Sequence, residues 1–469
     1  GRFEQIMKKI PWLLVVAVAL SAWDSGNAAQ PNLLLIFIDN VGYGDLGCYG
    51  NKGVKTPNID RLAAEGVRCT DFYIGSPSCS PSRGAILTGR HPERNGLNYQ
   101  LSAEENMGGE GLAPNEKIIP QYLKPLGYAT GAFGKWNIGF AEGFRPTDRG
   151  FDEFLGHRSG NIHYFKHLYR GENDMRRGTE PANLAGQYAT EVFADAAIDF
   201  IQRHQKRPWF VYLPFNAAHF VSAGNTEPGE KIEWQVPPKY LAGYGYPADE
   251  PDERKRFRAV LTALDDAIGR VVTAVDKAGM REQTLVLCIS DNGAFMLPGR
   301  GLEAQSNHPL RAGGITTFEG GIRVPAIARW PGRLKSGIVC REMLSSLDVL
   351  PLALSISGGE GPKDRVLDGK DPLKALAGEA PTPHEALYWV WDQGRREQWR
   401  SIRQGDWKLI RRSGNEPWQL YNLANDLSES SDLATKRPEI TMELVSKFEK
   451  WHESVLNDPS RSPSSRKGP

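Results

Sequence analysis

The sequence predicts an α/β fold: a large mixed, mostly parallel sheet flanked by helices on both faces, followed by a smaller C-terminal antiparallel sheet with a helix. Between residues 30 and 290, continuous apolar runs alternate with amphipathic segments of helical period. That alternation is expected when parallel strands are buried between two helical layers. After about Gly358, short strand-like runs follow one another closely, which is typical of antiparallel pairing.

Four segments predict strands of the large sheet. A strand covered on both faces carries apolar side chains at nearly every position instead of alternating with polar ones. Residues 32–38 and 284–290 have this character, and residues 128–133 and 209–213 are predicted as two further strands. The first run is followed by Asp39-Asn40 and the last by Asp291-Asn292.

Three segments have the 3.6-residue apolar period of helices that pack on a sheet. The first starts at Thr56-Pro57, which suits an N-cap and a first turn, and is expected to end before Gly66. The others cover residues 188–201 and 252–278. The side chains expected to face the sheet are, helix by helix, Ile59, Leu62 and Ala63; Val192, Phe193, Ala196, Ala197 and Phe200; and Val260, Leu261, Leu264, Ile268 and Val271.

A length of 469 residues favours two domains. We expect a catalytic domain at residues 30–358 and a C-terminal α+β domain at residues 359–459. Residues 460–469 are polar and contain proline, which predicts a disordered tail. The elements expected in the second domain are strands at 385–390, 399–403, 407–410 and 419–423 and a closing helix at 440–455.

Residues 1–29 are expected to hold a few upstream residues and a signal peptide. Met7-Lys8-Lys9 gives a positively charged start, residues 10–22 form an apolar run, and small residues lead to Ala28-Ala29. Cleavage there would export the chain, to the periplasm or as a secreted protein, with no stable membrane span in the mature chain. A retained N-terminal anchor is the alternative.

Composition gives no sign of a nucleic-acid partner. The chain has 40% apolar and 24% charged residues, as a globular enzyme does, and its 57 basic and 56 acidic residues give a formal net charge of +1. Because there is no basic excess to neutralise a phosphate backbone, we expect no nucleic acid to bind. An anionic substrate would have to be held by local charge inside a site.

The cysteine count points to one thiol with a special role. An odd number is unusual in an exported protein, where cysteines tend to pair. Cys288 lies within the apolar run 284–290 and is expected to be a buried free thiol. The pairing of the others stays open. The five are Cys48, Cys69, Cys79, Cys288 and Cys340.

The two Asp-Asn pairs predict a metal site. Sites in open α/β sheets form beyond the carboxyl ends of the strands, and both pairs are expected there. Together they offer only oxygen ligands, which suit a hard cation such as Ca²⁺ or Mg²⁺ rather than zinc. Turn formation and helix capping by Asp and Asn are the structural alternative.

The strongest motif is Cys79-Ser80-Pro81-Ser82-Arg83, continued to Leu87-Thr88-Gly89-Arg90. It resembles the signature C-x-P-S-R-x-x-x-L-T-G-R of the type I, formylglycine-dependent sulfatases of the alkaline phosphatase superfamily, such as arylsulfatases and N-acetylgalactosamine-6-sulfatases. Residues 134–136, 150–152, 319–325 and 420–423 also resemble this family. The resemblance implies a sulfuric ester hydrolase in which Cys79 is oxidised to formylglycine, whose hydrate attacks sulfur.

The resemblance also implies roles for individual residues. Arg83 would hold the formylglycine, Lys135 would bind a sulfate oxygen, and His219 would contact the sulfate and help to protonate the departing alcohol. The implied partners are a sulfated small molecule or glycan, and a formylglycine-generating or anaerobic maturation enzyme. One divalent cation, calcium in preference to magnesium, would be held by Asp39, Asn40, Cys79 in its modified form, Asp291 and Asn292.

Three positions depart from the family pattern. Asn40 replaces a common Asp and so removes one negative charge from the metal ligands. Asn137 stands in place of a histidine that acts as base, and an amide cannot accept a proton at neutral pH. Gly314 stands in place of a lysine, so one cation is missing from the sulfate pocket. The candidates to compensate are the sequence neighbours His163, His308 and Arg311.

Three functional hypotheses follow from these motifs. The first is a working sulfatase with compensating groups, acting on a sulfated carbohydrate or an aryl sulfate. The second is a phosphate or phosphonate ester hydrolase of the same superfamily. The third is a degenerate member that binds sulfated glycans without turnover. We favour the first, because Cys79, Arg83, Lys135 and Asp291-Asn292 occur together.

Overall fold

The computed structural model describes residues 30–102, 107–230, 232–296, 304–392 and 398–464. The predicted signal peptide and cleavage site at residues 1–29 lie outside the described residues, as do residues 465–469. Each helix in the described ranges is too short or too polar to span a lipid bilayer.

Strands from all parts of the chain form one large sheet, a two-stranded pair, a four-stranded sheet and a small hairpin. Their bounds are β1 Asn32–Ile38, β2 Val67–Cys69, β3 Phe72–Tyr73, β4 Ala129–Lys135, β5 Glu153–His157, β6 Leu168–Tyr169, β7 Glu172–Asn173, β8 Met175–Arg177, β9 Glu180–Pro181, β10 Trp209–Pro214, β11 Thr284–Ser290, β12 Ala326–Arg329, β13 Ile338–Cys340, β14 Leu344–Ser345, β15 Leu387–Asp392, β16 Gln398–Gln404, β17 Trp407–Arg411 and β18 Gln419–Asn422.

The large sheet has ten strands in the order β13-β2-β12-β11-β1-β10-β4-β5-β8-β9. Its centre, from β11 to β5, is parallel throughout. Antiparallel strands flank this centre on both sides, with β12 beside β11 and β8 beside β5. The sheet is therefore mixed and mostly parallel, as the sequence predicts.

Helices cover both faces of this sheet. The described α-helices are α1 Pro57–Ala64, α2 Cys79–Thr88, α3 Pro92–Asn95, α4 Ile119–Leu123, α5 Ala189–Arg203, α6 Pro238–Ala242, α7 Glu253–Lys277, α8 Glu319–Ile322, α9 Val349–Ser357, α10 Leu373–Leu376 and α11 Pro438–Leu456. The three helices that the apolar periodicity predicts are α1, α5 and α7. Asp252 caps α7, since its side chain accepts hydrogen bonds from Arg254 N and Lys255 N.

Strand β1 shows how the two cores are divided. Leu34 and Ile36 pack into the core beneath α5 and α7, whereas Leu33 and Leu35 pack into the core beneath α2 and α9. Successive side chains of a strand point to opposite faces, so a strand between two cores is apolar at every position. This is the physical reason for the continuous run NLLLIFI.

The C-terminal domain is a four-stranded antiparallel sheet in the order β15-β16-β17-β18, packed against α11. Leu444 and Phe448 of α11 contact Ile402, Leu409 and Leu420 of the sheet. The predicted boundary at residue 358 differs from the packing, because Leu376 and Trp389 belong to the core of the large domain. The sheet of the small domain itself begins only at Leu387.

Buried charges join the two domains. Lys408 of β17 lies 2.9 Å from a carboxylate oxygen of Glu319 and 2.8 Å from one of Glu429, and all three side chains are buried. Glu319 also accepts hydrogen bonds from Tyr73 Oη at 2.6 Å and from Arg323. The Glu319-Gly-Gly segment of the sequence motif therefore has a structural role at the domain interface.

The prediction of a disordered tail from residue 460 is wrong for residues 460–464. Ser460 O accepts a hydrogen bond from Arg90 at 2.7 Å, and Ser462 N donates to Arg94 O at 2.9 Å. Ser462 Oγ donates to Glu116 at 2.6 Å. The polar residues of this segment satisfy buried charges of the large domain, which composition alone does not reveal.

The five cysteines, all within the described residues, are free thiols. Cys288 is buried in β11 as expected. Cys69 and Cys340 are register partners on the neighbouring strands β2 and β13.

Candidate active site

The two Asp-Asn pairs meet at one edge of the large sheet. Asp39 follows β1 and Asp291 follows β11, and these strands are adjacent and parallel, with Ile38 opposite Ser290. Asn40 N donates to Asp291 Oδ1 at 3.1 Å, and Asn292 Nδ2 donates to Asn40 Oδ1 at 2.6 Å. All four side chains are buried. The two pairs therefore lie together beyond the carboxyl ends of β1 and β11, as the sequence predicts.

Cys79 faces this cluster from the first residue of α2. Its Sγ atom lies 3.7 Å from Asp39 Oδ1, 4.0 Å from Asn40 Oδ1 and 3.6 Å from Asn292 Oδ1. Burial raises the pKa of the thiol well above its usual value, and nearby Lys135 offsets only part of this effect. As encoded, the residue is therefore a protonated thiol, whereas reactive cysteines have a lowered pKa.

Arg83 lies one helical turn after Cys79 and is fully buried. It donates to Asp291 Oδ2 at 2.7 Å and to Asp39 Oδ2 at 3.3 Å. Burial opposes its charge, but the carboxylates of Asp291 and Asp39 outweigh burial and hold the pKa of the guanidinium above its usual value. Arg83 is thus a permanent cation that links helix α2 to both acidic residues.

Lys135 ends strand β4 and supplies the second buried cation. Its Nζ atom lies 2.5 Å from Asp39 Oδ2, and its carbonyl oxygen accepts a hydrogen bond from Arg83 at 3.0 Å. Two cations and two carboxylates therefore face one another out of contact with solvent. These four side chains together carry no net charge. A bound cation would therefore give the site the net positive charge that an anionic substrate requires.

His219 reaches the same cluster from the segment that follows β10. Its ring, the Asp39 carboxylate and Cys79 Sγ have ligand atoms within 4.8 Å of one another. The Nδ1 atom lies 2.6 Å from the carbonyl oxygen of Phe220, which can only accept, so Nδ1 carries the proton. Burial and, after it, Lys135 lower the pKa of His219 to about 3, so the ring is neutral and Nε2 holds a lone pair.

The donor set fits a hard divalent cation. Asp39, Asn40 and Asn292 each direct a side-chain oxygen to within 4.0 Å of Cys79 Sγ, so three oxygens lie close to residue 79. Asn40 Nδ2 is buried and has no hydrogen-bond partner among the described residues, whereas Oδ1 of the same amide accepts from Asn292 Nδ2. Oxygen ligands of this kind suit Ca²⁺ or Mg²⁺.

The two substituted positions have different surroundings. Asn137 is buried next to Ser80, whose Oγ donates to Asn137 Oδ1 at 3.1 Å. At Gly314, a Cβ atom would lie 3.0 Å from Gly293 O and 3.2 Å from the ring of Phe295. Asn137 therefore borders the nucleophile position, whereas the space that a longer side chain at position 314 would need is taken by an aromatic ring.

The three candidates for compensating groups make contacts of their own. His163 Nε2 pairs with Glu230 at 3.3 Å. Arg311 donates to Glu429 O at 2.6 Å and stacks on the ring of Phe318 at 4.0 Å from its centroid. His308 is exposed and precedes a cis proline. Sequence proximity is the whole basis for these candidates, and the contacts of Arg311 belong to the domain interface.

Two glutamines of the site carry no signal in the sequence. Gln305 donates from its amide to Asn40 O, and Gln100 Oε1 accepts hydrogen bonds from Ser78 Oγ at 2.7 Å and Ser80 N at 3.1 Å. Neither glutamine belongs to a motif, and each reaches the site from a distant part of the chain. Only the folded chain identifies them.

Comparison with known proteins gives one consistent result. A family model described as Sulfatase matches residues 31–359, and one described as N-sulphoglucosamine sulphohydrolase, C-terminal, matches residues 316–454. The chain is 35% identical over 406 residues to N-acetylgalactosamine-6-sulfatase of Canis lupus familiaris, which covers 81% of this chain and 73% of that protein. It is 36% identical over 399 residues to arylsulfatase A of Bos taurus, covering 80% and 73%. The solved structure of Ps i-CgsB in complex with k-i-k-neocarrahexaose has a TM-score of 0.81 at 29% identity, covering 93% of this chain and 94% of that one.

Proposed function

Because this chain belongs to the sulfatase family and is a sulfuric ester hydrolase, we propose that it releases sulfate from a sulfated carbohydrate, using a formylglycine made from Cys79 and a bound divalent cation. The observation that carries the proposal is the position of Cys79 Sγ, within 4.0 Å of three oxygens of the Asp-Asn pairs. As a buried protonated thiol it is a poor nucleophile, so oxidation of this residue would give the site its reactive group.

Charge placement supports sulfate ester chemistry. The ester carries a negative charge that a nucleophile must approach, and fixed cations lower the cost of that approach. Lys135 and Arg83 both contact the Asp39 carboxylate and supply two such charges. When bound, a formylglycine hydrate at position 79 and a divalent cation on Asp39, Asn40, Asp291 and Asn292 would supply the nucleophilic oxygen and a third positive centre.

His219 is the group best placed to handle the proton of the departing alcohol. Its Nδ1 proton is held by Phe220 O, so Nε2 is the free atom of the ring. In the resting site burial and Lys135 keep the ring neutral. An anion bound beside Lys135 would offset that charge and allow Nε2 to take up a proton, which it could then donate to the leaving oxygen.

Two of the similar proteins support a sugar substrate, while arylsulfatase A, 36% identical, keeps an aryl sulfate as the alternative. N-acetylgalactosamine-6-sulfatase is named for a sulfated sugar, and Ps i-CgsB was solved with an oligosaccharide of the carrageenan type. The alternative of phosphate or phosphonate ester hydrolysis has a structural neighbour, a phosphonate monoester hydrolase of Agrobacterium radiobacter, but at 19% identity this likeness concerns the fold alone. We further propose export of the protein and maturation by a formylglycine-generating or anaerobic enzyme.

Two measurements test the proposal. Peptide mass spectrometry of the segment around Cys79, after expression with a maturation enzyme, should show the loss of sulfur expected for conversion to the aldehyde. The same preparation should release sulfate from a panel of sulfated glycans, and Cys79→Ala should not. Paired phosphate and phosphonate esters serve as controls for the alternative chemistry. An unconverted thiol together with zero sulfate release would overturn the proposal, and tight glycan binding without release from converted protein would favour a binding protein.

A further inference from the structure

Asn137 lies against helix α2, where neighbouring polar groups hold its side-chain amide by hydrogen bonds. The residue is buried, adopts a left-handed backbone conformation with φ 54°, and follows Lys135 by two positions. Its Oδ1 atom accepts two hydrogen bonds, from Ser80 Oγ at 3.1 Å and from Gln100 Nε2 at 3.2 Å. Ser80 directly follows Cys79, so this amide borders the position of the nucleophile.

Backbone groups determine the orientation of Gln100. Its Oε1 atom accepts from Ser80 N at 3.1 Å, and a backbone N–H can only donate. The Ser78 hydroxyl donates to the same oxygen at 2.7 Å. The oxygen of Gln100 must therefore face α2, and its Nε2 must face Asn137 Oδ1.

The hydroxyl of Ser80 is oriented in the same way. It accepts a hydrogen bond from Leu101 N at 3.2 Å, so its own proton is free to be donated to Asn137 Oδ1. Two donors thus converge on one side of the Asn137 amide and fix that side as the oxygen. The other side is the Nδ2 group, which is buried and has no hydrogen-bond partner among the described residues.

A buried donor without a partner is rare in a folded protein and calls for an explanation such as a ligand. Gly160 lies next to this amide, where a Cβ atom would be 3.6 Å from Asn137 Oδ1 and 3.8 Å from Asn137 Nδ2. Through Oδ1 the amide contacts Ser80, the residue that follows Cys79, and Lys135, on the same segment as Asn137, reaches Asp39. An anion bound at residue 79 is the ligand whose chemistry this N–H matches.

We propose that Asn137 Nδ2 donates a hydrogen bond to an oxygen of the sulfate group bound beside residue 79, with Gln100 and Ser80 as positioning residues that hold the amide in this orientation. This inference rests on the proposed function and deepens it. Asn137 acts as a neutral donor throughout, because an amide neither gains nor loses a proton at neutral pH. The group that takes a proton during turnover is then another side chain of the site.

Gln100→Glu is the most discriminating variant. A carboxylate at position 100 still accepts from Ser78 Oγ and Ser80 N, but it presents an oxygen rather than an N–H to Asn137. The Asn137 amide is then expected to turn, to donate its N–H to the new carboxylate and to direct Oδ1 towards the anion. Gln100→Glu would weaken sulfate binding because the Asn137 amide no longer directs its N–H to the sulfate. Asn137→Asp, whose side chain has nearly the same shape, should weaken sulfate binding because it removes that N–H.

The test is calorimetric titration of inorganic sulfate into the full-length chain, with kcat and KM for a sulfated glycan measured in parallel. We expect the sulfate Kd to rise at least about tenfold in Asn137→Asp and in Gln100→Glu, and to stay unchanged in the exposed control Gln205→Glu. Circular dichroism and thermal unfolding identify any variant that does not fold, in which case the other variant decides.

The outcomes separate this inference from the proposed function. Unchanged sulfate affinity in both folded variants, or no sulfate binding by the parent chain, overturns the role of Asn137 even if glycan turnover persists. Absence of turnover in the parent chain overturns the proposed function, while the titration still reports on Asn137. The double variant Gln100→Glu/Asn137→Gln should bind sulfate more weakly than the parent. Parent-level affinity in this variant would contradict the proposal that Gln100 and Ser80 hold the amide at position 137 in one orientation.

Discussion

Lys135 Nζ and Arg83 Nη2 approach the same oxygen, Oδ2 of Asp39, at 2.5 and 3.3 Å, while Oδ1 of that carboxylate faces Cys79 Sγ at 3.7 Å. The Asp39 carboxylate therefore orients Lys135 and Arg83 through Oδ2, while its Oδ1 atom faces residue 79. Because these side chains are buried, the loss of Lys135, Arg83 or Asp39 leaves its partners with uncompensated charge.

Replacement of Lys135 by methionine should abolish most of the sulfatase activity without unfolding the protein. The apolar chain keeps the length of lysine but removes a cation from the sulfate side of the site, and loss of one such contact typically lowers kcat by about 100-fold or more. Steady-state assays with a sulfated glycan check this. The exposed Lys277→Met is the matched control, and a kcat/KM for Lys135→Met within about threefold of the parent would contradict the assigned role.

Replacement of Asn40 by aspartate should strengthen cation binding. Asn40 Oδ1 already faces the position next to residue 79, and aspartate tolerates the left-handed conformation that Asn40 adopts at φ 56°. A third carboxylate adds charge to the ligand set, so we expect the Kd for Ca²⁺ to fall at least about tenfold. Calorimetric titration after removal of metal with a chelator measures this.

The exposed Asn415→Asp supplies the control for the added charge in that experiment. Addition of Ca²⁺ should also raise the thermal midpoint of Asn40→Asp more than that of the parent, because a ligand that binds only the folded state stabilises it. Equal Kd values for the parent and Asn40→Asp would show that Asn40 is not a ligand.

Much of this site could be predicted from the sequence because its groups occupy positions that local patterns determine. Apolar runs locate β1 and β11, and the carboxyl ends of adjacent parallel strands bring Asp39 and Asp291 together. Gln100 and Gln305 could not be predicted, since each acts through a contact between distant segments. The prediction of a disordered tail was wrong for residues 460–464 because it used composition alone. Their polar composition is typical of disorder, but these residues form hydrogen bonds with buried charged side chains of the large domain.

Glu429→Gln should flatten the pH dependence of stability. Burial, and after it the neighbouring Glu319, raises the pKa of Glu429 to about 7, while Lys408 acts in the opposite direction. A carboxyl with a folded-state pKa above its unfolded value contributes stability below about pH 4.5 that is lost as the pH rises to about 7, and the loss is about 3 kcal/mol for a shift of this size.

Chemical denaturation at intervals between about pH 5 and 8 measures the effect. The parent should lose stability over this range from the Glu429 contribution, and Glu429→Gln should lose less, whatever its stability at the acidic end. Exposed Glu439→Gln on α11 is the control. Parallel curves for the parent and Glu429→Gln would show that Glu429 does not titrate in this window.

Deletion of residues 459–469 should destabilise the large domain, although the deleted segment is terminal. Ser460 O and Ser462 Oγ satisfy Arg90 and Glu116, and hydrogen bonds to charged groups contribute about 1.5–3 kcal/mol each. Without them two buried charged groups each lose a hydrogen-bond partner, so we expect a loss of at least about 2 kcal/mol in the free energy of unfolding. The shorter deletion of residues 465–469 spares both serines and should leave stability unchanged. Urea titrations of the parent and the two deletion variants measure the free energy of unfolding. An equal loss in both variants would mean that the contacts of Ser460 and Ser462 contribute nothing. No loss in either variant would mean that residues 460–464 are disordered, as the composition predicts.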